Sequence, residues 1–130
     1  MITLYNTASR QKETFQPLVE NQVGLYVCGM TVYDFCHVGH ARVSVVFDMI
    51  VRYLRHLEYN VHYVRNITDV DDKIINRANE RGESYQSLAT TYIEAMVEDE
   101  KLLGVMRPDE EPRATDYMAE MIDIIESLIA

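Results

Sequence analysis

Cysteine is scarce in this 130-residue chain, which has only Cys28 and Cys36. Two thiols eight positions apart make no disulfide framework, so they read as free thiols or metal ligands. Long apolar runs are missing as well. None approaches the roughly 18–20 residues that a bilayer span needs, and no membrane partner is expected. The opening, MITLYNTASRQKETF, has neither the basic start nor the apolar stretch of a secretory signal, so the expected location is cytoplasmic. Basic charge is short where a nucleic acid would need it. Residues 66–130 carry six Lys/Arg against sixteen Asp/Glu, whereas residues 1–65 carry six against five. The second half repels phosphate backbones, and an RNA partner would need a basic surface elsewhere. Repeats and low-complexity tracts are also absent, which leaves one compact domain as the expected organisation.

What is present is a strand–loop–helix–strand order. Residues 23–27, VGLYV, form a short β-branched and aromatic run that predicts a buried strand. The stretch 28–39, with Gly29 and Gly39, reads as a loop. From His40 to Tyr59 the apolar residues Val43, Phe47, Ile50, Val51, Leu54 and Leu57 recur every three or four positions, which predicts a helix. Residues 61–67, VHYVRNI, predict a second strand. Together these make a βαβ unit with parallel strands. A mostly helical region follows. Asp71 and Asp72 suit the first turn of a helix to about Asn79, Gly82 interrupts, and Ser84 can cap a helix through about Leu103. RPDEEP, with Pro108 and Pro112, reads as a linker. Thr115 can cap a last helix whose apolar stripe is Met118, Met121, Ile122, Ile125, Leu128 and Ile129. That helix reaches Ala130 without a stop signal, and two strands make a thin sheet. The expectation is the first half of a larger α/β domain.

The chemistry-bearing residues gather in VCGMTVYDFCHVGH, residues 27–40. In an open parallel sheet, ligands sit beyond the carboxyl ends of the strands. Cys28 and Gly29 fall at one such end; Asn66, Thr68 and Asp69 fall at the other. The turn at Gly39 feeds a helix N-terminus, whose free N–H groups and dipole favour phosphate. His37 and His40, three apart, project to one side once helical, and Gly39 between them leaves room for a flat ligand. Two imidazole donors at a positive helix end suit charge developing on a phosphorus centre. A local metal site from Cys28, Cys36, His37 and His40 is an alternative, although its spacing is not a usual finger pattern. Cys36 otherwise reads as a packing residue, and His56 and His62 as structural. The run Asp69–Asp72 reads as helix capping rather than metal binding, and Glu98-Asp99-Glu100 as a solvated face.

His37-Val38-Gly39-His40 resembles the HIGH signature of class I aminoacyl-tRNA synthetases. With Y-V-C-G-M-T-V-Y-D before it, and Y-V-R-N-I-T-D-V-D-D-K-I and P-R-A-T after it, the chain is similar to the cysteinyl-tRNA synthetase family. The resemblance covers essentially the whole chain, as the N-terminal portion of much longer members. It implies a Rossmann-like parallel-sheet nucleotide-binding catalytic domain, with its N-terminal half over 1–115 and a helix over 116–130 leading into an inserted segment. It implies activation of cysteine by ATP, with magnesium, to cysteinyl-adenylate, then transfer to tRNA(Cys) through regions mostly beyond residue 130. His37 and His40 would be catalytic and, with Gly39, would bind ATP. Gly29, Thr31 and Thr68 would contact the amino acid. Cys28 would be one ligand of a zinc ion that binds the substrate thiolate, the other ligands and the lysine-bearing KMSKS loop lying outside this stretch. Zinc prefers soft thiolate over a hydroxyl, so a metal–sulfur bond can separate cysteine from serine without editing. The family resemblance further implies a monomer at full length, and a stretch of this extent would not turn over alone.

Two other readings compete. The related ligase that joins cysteine to an amino-sugar inositol in mycothiol synthesis shares the fold, the zinc-binding Cys and an H-x-G-H loop. D-D-K-I after the second strand, and Val32 where that ligase would have proline, favour the synthetase. A truncated paralogue serving as a binding module is the other, against which the intact His pair weighs.

Overall fold

The structure, a computed structural model, describes residues 2–129. Its centre is the βαβ unit: β3 (Gln22–Val27), α1 (Val38–His56) and β4 (Asn60–Arg65). The strands pair in parallel from Gln22↔Asn60 to Val27↔Arg65. Alternation places Val23 and Val27 of β3, and Val61 and Tyr63 of β4, against Val51 and Leu54 of α1. Burying each such side chain contributes about 1.5–3 kcal/mol, which holds α1 on the sheet.

The helix starts two residues before the expected position and ends three earlier. His37 is its N-cap, so Gly39 lies inside the first turn rather than in a turn feeding it. At the other end Glu58 adopts φ +65°, and the Leu57 N–H closes onto the Tyr53 and Leu54 carbonyls. Arg55 and His56 place basic groups at the negative end of the dipole.

Beyond the sheet, α2 (Asp72–Arg81) and α3 (Tyr85–Leu102) form a helical pair. Asp71 caps α2 by accepting from the Lys73 N–H at 2.9 Å, Gly82 ends it at φ +68°, and Ser84 caps α3 by accepting from the Ser87 N–H. Ile74, Ala78, Leu88, Ala89, Tyr92, Ile93 and Met96 bury together with Val32 and Ile67, which ties the pair to the loops after both strands.

Several expectations are corrected. An antiparallel hairpin, β1 (Thr3–Asn6) with β2 (Gln11–Thr14), precedes the βαβ unit and carries no buried residue, so no inward–outward pattern marked it. The RPDEEP stretch is not a free linker. It runs along the second edge of β4, where the Asp109 N–H donates to the Tyr63 carbonyl at 2.8 Å and the Ile67 N–H to the Pro112 carbonyl at 2.8 Å. Proline lacks a donor but keeps its acceptor, so it fits an edge. Glu100 does not belong to a solvated face: it is buried and ion-paired with Arg65. Arg65 also pairs with Glu111, and Ser44 Oγ donates to Glu100 at 2.8 Å. Thr115 does not cap the last helix. It lies in a 3-10 turn (Ala114–Tyr117), where its N–H and hydroxyl donate to the buried Asp69 at 3.0 and 2.6 Å. Helix α4 (Met118–Ile129) follows with its apolar stripe exposed; Ala130 lies outside the described residues.

Candidate functional site

The site forms where the chain leaves β3 and β4. Beyond their last paired residues the two segments stay side by side: the Thr68 N–H donates to the Met30 carbonyl at 3.2 Å, and the Val32 N–H to the Thr68 carbonyl at 3.2 Å. Gly29 makes this approach possible. Its N–H donates to Asn66 Oδ1 at 2.7 Å, and a Cβ there would sit 1.5 Å from the Asn66 carbonyl oxygen. No side chain fits. Gly29 therefore acts through backbone closeness, a role that glycine alone fills.

A cavity of about 300 Å³ opens on this junction. Cys28, Gly29 and Thr31 line it from the β3 side, His40 and Ser44 from α1, Tyr63 and Arg65 from β4. Tyr33 and Lys73 complete the rim. Among the expected site residues, His37, Gly39 and Thr68 do not line it. Thr68 stands behind, where its Oγ1 accepts from Asn66 Nδ2 at 3.4 Å. Among the described residues no acidic one lines it, although the chain carries a net charge of −9.

The two histidines close the N-terminus of α1. His37 Nδ1 accepts from the Gly39 N–H at 3.0 Å, and His40 Nδ1 accepts from the His37 N–H at 3.4 Å. This is a reciprocal capping box made of imidazoles. The rings stack with centroids 3.9 Å apart. Because each Nδ1 accepts, the neutral rings carry their protons on Nε2. The space left by Gly39 is filled by the His37 ring, since a Cβ there would lie 2.8 Å from His37 Cε1. The expected opening for a flat ligand at Gly39 is thus taken by the cap. Burial first, and then the neighbouring His37, lowers the His40 pKa below its usual 6.5.

Cys28 has an exposed thiol, whereas Cys36 is half-buried against the core with its sulfur 3.5 Å from Met30 Sδ. Burial, followed by Asp99 and Glu100, raises the Cys36 thiol pKa, as suits packing rather than ligation. Among the described residues no cluster of three His, Cys, Asp or Glu is placed to hold a metal. The local site of Cys28, Cys36, His37 and His40 does not assemble: Cys36 faces the core, and both histidines spend Nδ1 on the cap. Asp69 is committed to Thr115 and Asp71 to α2.

Lys73, Tyr33, Ser44 and Arg65 line the cavity without having stood out in the sequence as site residues. The signal for Lys73 was its place directly after two aspartates at the start of the helix that follows β4. Arg65 and Ser44 could be found only from the fold, because Glu100 lies 35 residues from its arginine partner.

The family model for tRNA synthetases class I (C) catalytic domain matches residues 14–130. The cysteine–tRNA ligase of Hydrogenovibrio crunogenus is 65% identical over 128 residues, covering 98% of this chain and 28% of that protein. Its counterpart in Azotobacter vinelandii is 62% identical with the same coverage, and that of Polynucleobacter necessarius is 60% identical over 129 residues. The chain spans little more than a quarter of the length of these relatives. The βαβ junction, its capped helix and the match over residues 14–130 meet in one conclusion: this chain belongs to the class I (C) tRNA synthetase catalytic-domain family.

Proposed function

We propose that this chain forms the front part of the site that activates cysteine with ATP and passes it to tRNA(Cys). The observation that carries the reading is the stacked His37–His40 cap beside a cavity walled by Cys28 and free of carboxylates. Two Nε2–H donors, held at the positive end of α1, oppose charge developing on the α-phosphorus as the amino-acid carboxylate displaces pyrophosphate. The backbone of Gly39 belongs to the same first turn, and Thr31 with the Gly29 backbone borders the amino-acid side of the cavity. Thr68 acts from behind, by holding Thr31 and Asn66 in place.

The donor set fits zinc in kind. Cys28 is a soft ligand on the wall of the cavity, and its thiol is exposed. It would be one ligand, with the remainder supplied from outside residues 2–129. A bound zinc ion supplies a soft acceptor for the substrate thiolate, which serine cannot match. Residues 1–115 then form the N-terminal half of a Rossmann-like catalytic domain and residues 116–130 the helix leaving it. The thin sheet and the exposed stripe of α4 support this division.

The test uses a polypeptide of the relatives' full length that carries this segment. Cysteine should support exchange of label between pyrophosphate and ATP, and serine should support about 10²-fold less or lower still. Cys28→Ser should lose the zinc and the cysteine preference together. Equal exchange with serine, or a Cys28→Ser protein that keeps both zinc and preference, sinks the reading.

A further inference from the structure

The cavity contains a cation that the chemistry above does not use. Lys73 lines it with Cys28, Thr31, Tyr33 and His40. Among the described residues no carboxylate pairs with its ammonium; its contact is the Tyr33 ring, with Nζ 5.6 Å from the ring centre. Further along the same helix, Arg77 pairs with Asp34 and Glu80, and Arg81 pairs with Glu83. Among the described residues, Lys73 is the member of that stripe without an ion pair.

Its position sharpens the contrast. It is the second residue of α2, in the turn where the helix dipole disfavours a cation. Sixteen residues in the second half of the chain are acidic, yet among the described residues none of them lines the cavity. Arg65, the other strong cation of the wall, is neutralised by Glu100 and Glu111. The α2 end of the cavity therefore presents an ammonium that no carboxylate pairs among the described residues, since the cap, Asp71, is spent on the Lys73 backbone N–H. The Tyr33 face restrains the side chain without discharging it.

We propose that Lys73 is a further substrate-contacting residue, donating from Nζ to an anionic oxygen of the molecule bound in the cavity. The inference rests on the activity proposed above. Two groups share this chemistry, the carboxylate of the amino acid and a phosphate of the nucleotide, and kinetics separates them.

In the full-length polypeptide, Lys73→Gln and Lys73→Arg are compared with the wild type in cysteine-dependent pyrophosphate exchange. A lost charge-assisted hydrogen bond should lower kcat/KM by about tenfold or more in Lys73→Gln. Lys73→Arg, which keeps the charge, should retain about a third or more of the activity. A phosphate contact places the loss in the KM for ATP or in kcat. A carboxylate contact places it in the KM for cysteine and leaves inhibition by cysteinol, which lacks the carboxylate, unchanged. Lys73→Gln within about twofold of wild type overturns the inference, as does an Arg variant that loses as much as the Gln variant. Wild-type exchange in the same assay reports separately on the activity: its absence overturns that reading, and this inference with it.

Discussion

At the scale of single residues, the protonation of His40 is the most exposed part of the account. Its Nδ1 accepts the His37 N–H, and its pKa is lowered by burial first and by His37 second. Followed by NMR, His40 should titrate below the usual 6.5, and His37→Ala should move it back upward by removing the second cause. A value at or above 6.5 in the wild type contradicts this. The linkage has a definite sign. The unfolded chain takes up the proton first, so the stability contributed by neutral His40 is full above pH 6.5 and is lost as the pH falls through the lower folded value. Gly29 illustrates a different kind of residue: its function is the absence of a Cβ beside the Asn66 carbonyl. The sequence offered His37, His40 and Cys28 through a motif. It offered no sign that Gly39 makes room for the His37 ring rather than for a ligand, because that depends on which rotamer caps the helix.

At the scale of elements, α1 and β4 are legible because each has one buried face. The spacing of Val51 and Leu54, and the alternation of Val61 and Tyr63, record it directly. The caps at Asp71 and Ser84 and the left-handed Gly82 were legible for local reasons, since each acts within four residues. The hairpin and the strap along β4 were not. The hairpin buries nothing, and the strap's pairing partners lie some 46 residues away in sequence. Glu100 shows the same limit: its acidic neighbours suggest solvent, yet it crosses to the buried Arg65 and Ser44. That network joins α1, α3, β4 and the strap. Glu100→Ala leaves Arg65 buried with one fewer partner and should destabilise the fold by about 3–5 kcal/mol in urea unfolding. A loss below about 1 kcal/mol, the scale of an exposed pair, would show that the network is not sealed from water.

At the scale of the whole molecule, two cores meet at the cavity. One lies between α1 and the sheet, the other between the helical pair and the loops after the strands. The junction between them carries Cys28, Gly29, Thr31, His40 and Lys73, so the site occupies the seam where a parallel sheet normally presents its ligands. On an acidic chain, a cavity lined by no Asp or Glu among the described residues is where an anionic ligand would meet less repulsion than at the acidic helices. The central claim is that the His37–His40 cap stabilises the transition state of adenylate formation. Single-turnover adenylate formation by the full-length polypeptide, wild type against His40→Ala, tests it most directly when ATP affinity is measured alongside. The account predicts ATP binding close to wild type and a rate of adenylate formation lower by about 10²-fold or more. A rate within about threefold of wild type, or a loss explained wholly by weaker ATP binding, would contradict it.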